Sequence, residues 1–319
     1  MSLTRPPFDP ELEAALSVLA EAMPPTITPE MIPIMRQAPV FEDAREVLTG
    51  AGLELRDVTI VSYDGAEIEL TVIQRAGPTG TGPGIFHTHG GGMIFGDRWV
   101  GATAFAAAVL RHDAVMVTVE YRLAPEHPDP TPVEDCYAGL VWTADHAAEL
   151  GIDPTRLLIA GGSAGGGLAA GTALLARDRR GPALCGQLLA YPMLDDRDQT
   201  VSTAQIDGVG MWDRGSNITG WTALLGDRRG TDDVSIYAAP ARATDLSGLP
   251  PAFIDCGSAE VFRDEDVAYA TAIWAAGGQA ELHVWPGGFH AFENFAPQAA
   301  LSQQMTAARE NWIDRIFAI

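Results

Sequence analysis

One glycine-rich stretch, residues 161–166, limits what this 319-residue chain can fold into more than any other segment. It reads Gly-Gly-Ser-Ala-Gly-Gly, follows an apolar run of strand type at 156–160, and precedes a helix-like run at 167–176. A chain that turns from strand to helix within a few residues forces the residue at the bend into strained backbone. Glycines two positions before and two after the bend let the two elements pass closely. The stretch matches G-x-S-x-G, in which such a turn exposes the serine for nucleophilic chemistry.

The same glycine spacing also occurs in turns without chemistry and in phosphate-binding loops. A glycine-rich turn can end a buried strand with no catalytic role, and the pentapeptide alone does not separate that turn from the nucleophilic one. A phosphate-binding loop can be excluded from the sequence, although Gly161 and Gly166 have the separation that G-x-x-x-x-G-K-[ST] requires. Gly167 and Leu168 occupy the positions of the lysine and the hydroxyl residue, which excludes that loop.

Composition narrows the function classes. The chain has 20 basic and 42 acidic residues, a net charge of −22, which repels phosphate backbones and anionic lipid headgroups. We therefore expect no nucleic-acid partner and no membrane association. Cys136, Cys185 and Cys256 are an odd number of widely spaced cysteines among apolar residues, which predicts buried free thiols and a reducing compartment. With no signal-peptide pattern and no long apolar run, we expect a soluble, cytoplasmic protein.

Strand-type and helix-type segments alternate from residue 84 to the end of the chain, which predicts an α/β fold with a doubly wound, mostly parallel sheet. Upstream, a period of two and the Asp64-Gly65 turn predict an antiparallel hairpin at one edge of that sheet. The segment 191–243 interrupts the alternation, is rich in Asp, Gly and Trp, and has one clear helix-like piece at 221–225. Insertions of this kind usually lie at the open end of a sheet.

The N-terminal segment predicts helices with apolar faces. Asp9 can cap a first helix that has Pro10 at its first position, and a short second helix follows Pro29. Ordinary packing on the main domain and a lid over a substrate both explain these faces. The apolar residues that could close over a substrate lie here and in the insertion: Met31, Ile32, Met35, Met211, Trp212 and Trp221.

A second glycine run follows the predicted strand at 84–88. It reads His89-Gly90-Gly91-Gly92, and glycines beyond a strand leave backbone N–H groups free to converge on a bound oxygen. Gly90 and Gly91 are therefore candidate oxyanion donors. His87 and His89 could instead form a metal pair, but no carboxylate or third histidine follows at ligand spacing.

Four motifs in this order resemble the hormone-sensitive-lipase-like family of α/β-hydrolases, a group of bacterial carboxylesterases. They are the His89 glycine run, the sequence Tyr-Arg-Leu-Ala-Pro-Glu-His-Pro at 121–128, the 161–166 stretch and the terminal His290, and the resemblance covers residues 84–295. It implies an α/β-hydrolase fold without cofactor or metal that hydrolyses short-chain esters. It also implies N-terminal cap helices at 1–45 and a catalytic domain at 46–319, with a cap insertion at about 195–235.

The resemblance also assigns roles. It implies Ser163 as the nucleophile, His290 as the base, and the N–H groups of Gly90, Gly91 and Ala164 as the oxyanion hole. The chain departs from the family pattern at two positions. Gly162 stands where an acidic residue is common, and Glu260 opens a run, 260–265, that usually begins with aspartate.

The third catalytic residue is a choice among three carboxylates. A serine needs a histidine base, and the histidine needs a carboxylate to orient it. We predict Glu260 in this role, because it occupies the family's acid position and because the order serine, acid, histidine fits α/β-hydrolases. Asp255 lies at or inside the end of a strand. Asp264 has a simpler role as the cap of the helix that begins at Glu265.

These features predict a serine carboxylesterase that hydrolyses small esters of short to medium acyl chain through a Ser-His-Glu triad and an acyl-enzyme. A binding protein that keeps the pocket but does little chemistry is an alternative from another class, and a lipase or peptidase is an alternative enzyme. The last strand and helix form an edge that could pair two subunits into a homodimer.

Overall fold

The computed structural model describes residues 3–20, 23–37, 43–77 and 80–318. Its centre is one eight-stranded sheet. The strands are β1 (Leu53–Val61), β2 (Glu67–Arg75), β3 (Gly82–Thr88), β4 (Val115–Glu120), β5 (Ile152–Gly162), β6 (Gly186–Ala190), β7 (Ala252–Gly257) and β8 (Ala280–Trp285). Their order across the sheet is β1-β2-β4-β3-β5-β6-β7-β8.

The sheet confirms the predicted fold class. β2 runs antiparallel to both β1 and β4, and every other neighbouring pair is parallel. The hairpin β1–β2 pairs Ile60 with Ile68 across the predicted turn, where Gly65 has a φ of +87°. A positive φ is accessible to glycine at no steric cost, which explains why the turn occurs there.

Helices cover both faces of the sheet. In chain order they are α1 (Pro10–Leu19), α2 (Ile32–Met35), α3 (Ala44–Gly50), α4 (Ala106–His112), α5 (Thr131–Asp145), α6 (Ala147–Leu150), α7 (Ala164–Asp178), α8 (Val201–Gln205), α9 (Arg214–Leu225), α10 (Arg263–Ala275), α11 (Phe292–Phe295) and α12 (Ala300–Phe317). No helix among the described residues is both long enough and apolar enough to cross a bilayer.

Two hydrophobic cores result, one on each face. Successive strand side chains point to opposite faces, so Leu157 and Ile159 of β5 belong to one core while Leu158 and Ala160 belong to the other. The first core includes apolar residues of α5, α7 and α10, and the second includes those of α1, α3, α4 and α12. Burial on both faces is the reason the central strands read as continuous apolar runs.

The segment before the sheet is anchored at several points. Asp9 accepts hydrogen bonds from the N–H groups of Glu11 and Leu12, which confirms it as the cap of α1. Phe8 and Leu12 are buried in the second core, and Ile32 and Met35 in the first. The predicted boundary between cap helices and catalytic domain, between residues 45 and 46, falls inside α3, and the division into these units remains a prediction.

The insertion between β6 and β7 holds more helix than its sequence indicates. α8 and most of α9 were not predicted, because α8 has five residues and α9 begins with Arg-Gly-Ser-Asn, which are not all strong helix formers. Asp213 compensates by accepting a hydrogen bond from the N–H of Ser216 at the start of α9. Thr26 also donates to Asp213 at 2.6 Å, which ties the N-terminal segment to the insertion.

The cysteines are free thiols, as predicted. Cys136 and Cys256 are buried and Cys185 is half-buried. Burial raises the pKa of Cys136 and Cys256 well above the ordinary thiol value, so neither is a thiolate near neutral pH.

Candidate active site

Ser163 lies at the tight turn between β5 and α7, in the conformation that the glycine spacing predicts. Its backbone has φ +59° and ψ −125°, a region that residues other than glycine rarely adopt. A side chain at Gly161 would overlap the carbonyl group of Gly165, and one at Gly165 would overlap the carbonyl oxygen of Thr88. The two glycines therefore allow β5, α7 and the end of β3 to meet around the serine.

The structure brings the three predicted triad residues together. His290 Nε2 lies 2.9 Å from Ser163 Oγ, and His290 Nδ1 lies 3.3 Å from Glu260 Oε1. The other carboxylate oxygen of Glu260 accepts a hydrogen bond of 2.8 Å from the N–H of Gly257, which fixes the carboxylate at the end of β7. Glu260 is fully buried and His290 is nearly so. This arrangement can move a proton from the serine to a histidine held by a carboxylate.

The two rival carboxylates are engaged elsewhere. Both oxygens of Asp255 accept hydrogen bonds from the Arg309 guanidinium, at 2.9 Å each. The predicted cap role of Asp264 is wrong, because α10 begins two residues earlier than expected, at Arg263 instead of Glu265, and places Asp264 inside its first turn. From there Asp264 Oδ2 accepts a hydrogen bond of 2.8 Å from the N–H of Ser202 in α8.

Two of the three predicted oxyanion donors, Gly90 and Ala164, adjoin Ser163, and Gly91 follows Gly90 in the same glycine run. Within the described part of the chain, the N–H groups of Gly90, Gly91 and Ala164 donate to no other group. A Cβ atom on Gly90 would lie 3.5 Å from the Ser163 Cβ, and one on Gly91 would overlap the Phe95 carbonyl. Ala164 is the first residue of α7, where an N–H group has no partner within the helix and the helix dipole favours negative charge.

Two aromatic rings hold the glycine run in place. Tyr121 donates its hydroxyl hydrogen to the His89 carbonyl oxygen at 2.9 Å, and the two rings stack with centroids 4.0 Å apart. His89 Nδ1 donates in turn to the Gly90 carbonyl oxygen at 2.8 Å. Tyr121 opens the predicted 121–128 motif, but its contact with His89 was not foreseen from the sequence.

The histidines before the glycine run are neutral structural residues in this fold. Burial lowers the pKa of His87 to about 3 and that of His89 to about 4. His87 Nδ1 donates to Thr118 Oγ1 at 2.9 Å, since that hydroxyl gives its own hydrogen to the Arg98 carbonyl. No group of three or more potential metal ligands occurs in the described ranges.

One predicted cap residue lies directly over the glycine run. The ring of Trp212 occupies the space that a side chain at Gly92 would need, and its centroid lies 6.2 Å from that of Phe95. A Cβ atom on Gly220 of α9 would lie 3.0 Å from the Gly92 carbonyl oxygen, so the insertion and the glycine run are in close contact. Trp221 is fully buried in the first core, together with Ile32 and Met35.

A cluster of acids behind Glu260 was missed by sequence reasoning. Glu265 and Asp266, in the first turn of α10, are buried, and burial raises the pKa of both well above the usual range. Glu265 Oε1 accepts hydrogen bonds from the N–H groups of Leu194 and Asp195. Within the described ranges neither carboxyl oxygen of Asp266 has a hydrogen-bond partner of good geometry, and the Cys256 thiol is the side chain beside it that can donate. Acidic residues in the first turn of a helix are common partners of the helix dipole, so the sequence does not reveal that these two are buried.

Comparison with known proteins decides the family. A family model described as the α/β-hydrolase fold matches residues 85–294, a range that includes all six predicted site residues. A carboxylesterase of Mycobacterium tuberculosis, NlhH, is 35% identical over 293 residues, which are 90% of each chain. The chain belongs to the hormone-sensitive-lipase-like α/β-hydrolases. It is a carboxylic ester hydrolase.

Solved structures agree with this assignment over almost the whole chain. A bacterial heroin esterase has 37% sequence identity and a TM-score of 0.87, covering 97% of this chain and 98% of its own. The esterase LipW from Mycobacterium marinum has 30% identity and a TM-score of 0.86, covering 98% of each chain. This α/β-hydrolase therefore shares its fold, over almost its whole length, with proteins described as esterases.

Proposed function

We propose that this hydrolase is a serine carboxylesterase that cleaves small esters of short to medium acyl chain, with Ser163, His290 and Glu260 as its triad. The observation that carries the proposal is the 2.9 Å contact between His290 Nε2 and Ser163 Oγ at a strained strand-to-helix turn. A binding protein has no need of a base on its serine or of free N–H groups beside it, so the geometry favours an enzyme over a receptor.

The proposed reaction begins with nucleophilic attack. Ser163 Oγ bonds to the ester carbonyl carbon while His290 Nε2 takes the hydroxyl proton, and Glu260 holds the imidazole through Nδ1–H. The carbonyl oxygen becomes an oxyanion that accepts hydrogen bonds from the N–H groups of Gly90, Gly91 and Ala164. Donors that belong to the backbone need no rearrangement as the negative charge develops.

Collapse of this intermediate releases the alcohol. The bond from carbon to the alcohol oxygen breaks, and His290 returns its proton to that oxygen, which leaves an acyl group on Ser163. Water then attacks the acyl-enzyme with His290 again as the base, and the second oxyanion uses the same donors. Departure of the carboxylic acid restores the serine hydroxyl.

The cap supports the proposed preference for small esters. Trp212 lies over Gly92, one residue beyond the proposed oxyanion donors. Phe262, which is fully buried, packs edge-on against His290 with centroids 5.1 Å apart. An aromatic wall of the kind that Trp212 provides suits an acyl chain of limited length.

A series of p-nitrophenyl esters tests the proposal. We expect kcat/KM to be greatest from acetyl to hexanoyl and to fall steeply by palmitoyl, with no measurable cleavage of the matching p-nitroanilides. A maximum at palmitoyl would indicate a lipase, and comparable anilide turnover would indicate a peptidase. Tight binding of the ester without release of p-nitrophenol would indicate a binding protein.

We also propose a cytoplasmic location and a homodimer. The free thiols of Cys136 and Cys256 suit a reducing compartment. β8 is the edge strand at one end of the sheet, and Val284 on it is exposed, so that edge is open to a second copy of the chain. Light scattering of the purified protein measures the oligomeric state.

A further inference from the structure

A buried ionic network lies beside the triad without belonging to it. Arg309 of α12 donates from Nε and Nη2 to the two oxygens of Asp255, and from Nη1 to Glu293 Oε1 at 2.6 Å. Tyr191 donates its hydroxyl hydrogen to the same Glu293 oxygen at 2.6 Å. The four side chains come from the end of β6, from β7, from α11 and from α12, so the network joins four separate elements.

One member of the network contacts the His290 ring, and a second lies on the same loop as His290. Tyr191 places its ring edge-on to that of His290, with centroids 4.9 Å apart and planes at 72°. Glu293 follows His290 by three residues and lies in the short helix α11, so its bonds fix the end of the histidine loop. The N–H of Tyr191 also donates to the Asp255 carbonyl oxygen at 2.6 Å, which ties the same residue to β7.

Tyr191 also adjoins the nucleophile turn. A Cβ atom on Gly162 would lie 3.3 Å from Tyr191 Cε2 and 3.6 Å from its hydroxyl oxygen. The N–H of Ser163 donates to the carbonyl oxygen of Ala190, the residue before Tyr191. Tyr191 itself has a φ of +36°, a strained value for a residue other than glycine. Strain of this kind persists where the surrounding contacts fix the residue, and it clusters at functional sites.

The chemistry of the network suits a rigid support. Burial raises the pKa of Tyr191 well above its ordinary value, so the phenol keeps its hydrogen and donates it to Glu293. The planar Arg309 guanidinium binds Asp255 with two parallel hydrogen bonds, a geometry that resists rotation. Packing alone would be served as well by apolar side chains, because burying charges is costly unless each is paired.

We propose that Tyr191, Glu293 and Arg309 are positioning residues that hold the His290 imidazole between Ser163 and Glu260. The proposal rests on the proposed function of the triad. His290 must take a proton from the serine and then give it to the leaving alcohol, so its ring has to stay aligned through both steps. Tyr191 packs against the ring on one side, as Phe262 does at 5.1 Å, and the ionic network keeps Tyr191 from moving away.

Three substitutions test the proposal at separate points. Tyr191→Phe keeps the ring and removes the hydrogen bond to Glu293, Glu293→Gln keeps the shape and removes the charge, and Arg309→Met removes the guanidinium. Misplacing a reacting group by about 1 Å can cost about 10²-fold in rate, so a partial loss of support should lower kcat by about 10-fold. We expect KM for p-nitrophenyl acetate to change less than about 2-fold, because no substrate contact is lost.

A double variant and a matched control sharpen the result. Tyr191 and Glu293 share one hydrogen bond, and either single substitution already removes it. The double variant Tyr191→Phe/Glu293→Gln should therefore have a kcat close to that of the less active single variant, as expected for coupled residues. Arg315 lies on the same helix α12, is exposed and pairs with Glu281. Arg315→Met should therefore leave both kcat and KM unchanged.

The outcomes separate this proposal from the proposed function. If Tyr191→Phe and Glu293→Gln are folded, melt below wild type and keep wild-type kcat, the network only stabilises the fold and the positioning role is wrong. If KM rises while kcat is unchanged, the residues act on substrate binding instead, which also overturns it. Should Arg309→Met fail to fold, the other two variants still decide. Wild-type activity in Ser163→Ala would instead overturn the triad itself.

Discussion

Ser163 lies between two buried regions that differ in the kind of polar group they contain. On the proposed oxyanion side, at the ends of β3 and β4, burial keeps His87 and His89 neutral, and the proposed donors are backbone N–H groups. On the acid side, around the ends of β7 and β8, Glu260 lies close to the buried carboxyl groups of Glu265 and Asp266. One side thus offers fixed dipoles without charge, and the other concentrates ionisable groups.

The difference follows from what each side has to do. An oxyanion is held by fixed dipoles, which need no counter-charge and do not titrate. In the proposed mechanism, the imidazolium that forms on His290 needs a negative group beside it. Substitutions on the two sides should therefore have different consequences for rate, for pH dependence and for substrate choice.

The largest effect is expected on the acid side. Glu260→Gln should lower kcat by about 10⁴-fold with little change in KM, because His290 loses its orienting partner and the charge that stabilises its protonated form. The measurement is steady-state hydrolysis of p-nitrophenyl acetate. Asp264→Asn is the control, and we expect it to keep near wild-type kcat and to melt earlier, since its carboxylate bonds Ser202 instead. If the control were inactive and Glu260→Gln active, the acid assignment would be wrong.

On the oxyanion side the corresponding loss should be smaller. Gly91→Ala would place a Cβ atom on the Phe95 carbonyl at a φ of +114°, so the glycine run has to shift. Displacing one donor from an oxyanion hole costs about 10²–10³-fold in kcat. Gly50→Ala is the matched control, because a Cβ atom there meets open space. A Gly91→Ala protein that is folded and fully active would show that this N–H group does not serve the oxyanion.

Stability should respond to pH with opposite signs on the two sides. The pKa of His87 is about 3 in the folded protein and about 6.5 in the unfolded chain. Its contribution to the free energy of unfolding is therefore fully present above about pH 6.5 and is lost as the pH falls. Burial raises the pKa of Asp266, so its contribution is present at low pH and is lost as the pH rises.

Urea unfolding of two variants checks these signs. Asp266→Asn should be more stable than wild type at about pH 8, by about 1–3 kcal/mol, and that gain should shrink towards about pH 5. His87→Asn can still donate to Thr118 and should lose less stability than wild type on acidification, by up to about 1.4 kcal/mol per pH unit. A gain for Asp266→Asn that grows as the pH falls would contradict the account.

The smallest effect concerns the cap above the oxyanion side. Trp212→Ala opens the space over Gly92 and should move the preferred p-nitrophenyl ester to a longer acyl chain, with relative kcat/KM changing by about 10-fold or less. Trp274 is exposed on α10 and provides the control Trp274→Ala. An unchanged chain-length profile in folded Trp212→Ala would show that Trp212 packs against the glycine run without bounding the acyl pocket.

What the sequence could predict depended on how local the signal is. Ser163, the glycines around it and the run after His89 are set by backbone conformation within a few residues, so their spacing carries the geometry. The sheet and its hairpin could be predicted for the same reason, since strand periodicity is local. Glu260 and His290 follow predicted strands, and the carboxyl ends of parallel strands meet at one edge.

Features that depend on distant contacts could not be predicted. Tyr191 and Glu293 are 102 residues apart, and Asp255 and Arg309 are 54 apart, so no spacing relates them. The error at Asp264 came from a two-residue difference in where α10 begins, which changed a helix cap into a contact with another helix. The burial of Asp266 likewise depends on packing around α10.

The central claim is that Ser163 forms an acyl-enzyme with His290 as its base, and intact-protein mass spectrometry tests it most directly. Rapid mixing with p-nitrophenyl butyrate followed by acid quench should give a protein heavier by one butyryl group, with p-nitrophenol released in equal amount. Peptide mapping should place that group on Ser163, and Ser163→Ala should show neither the adduct nor turnover. An adduct on another residue, or wild-type turnover in folded Ser163→Ala, would contradict the account.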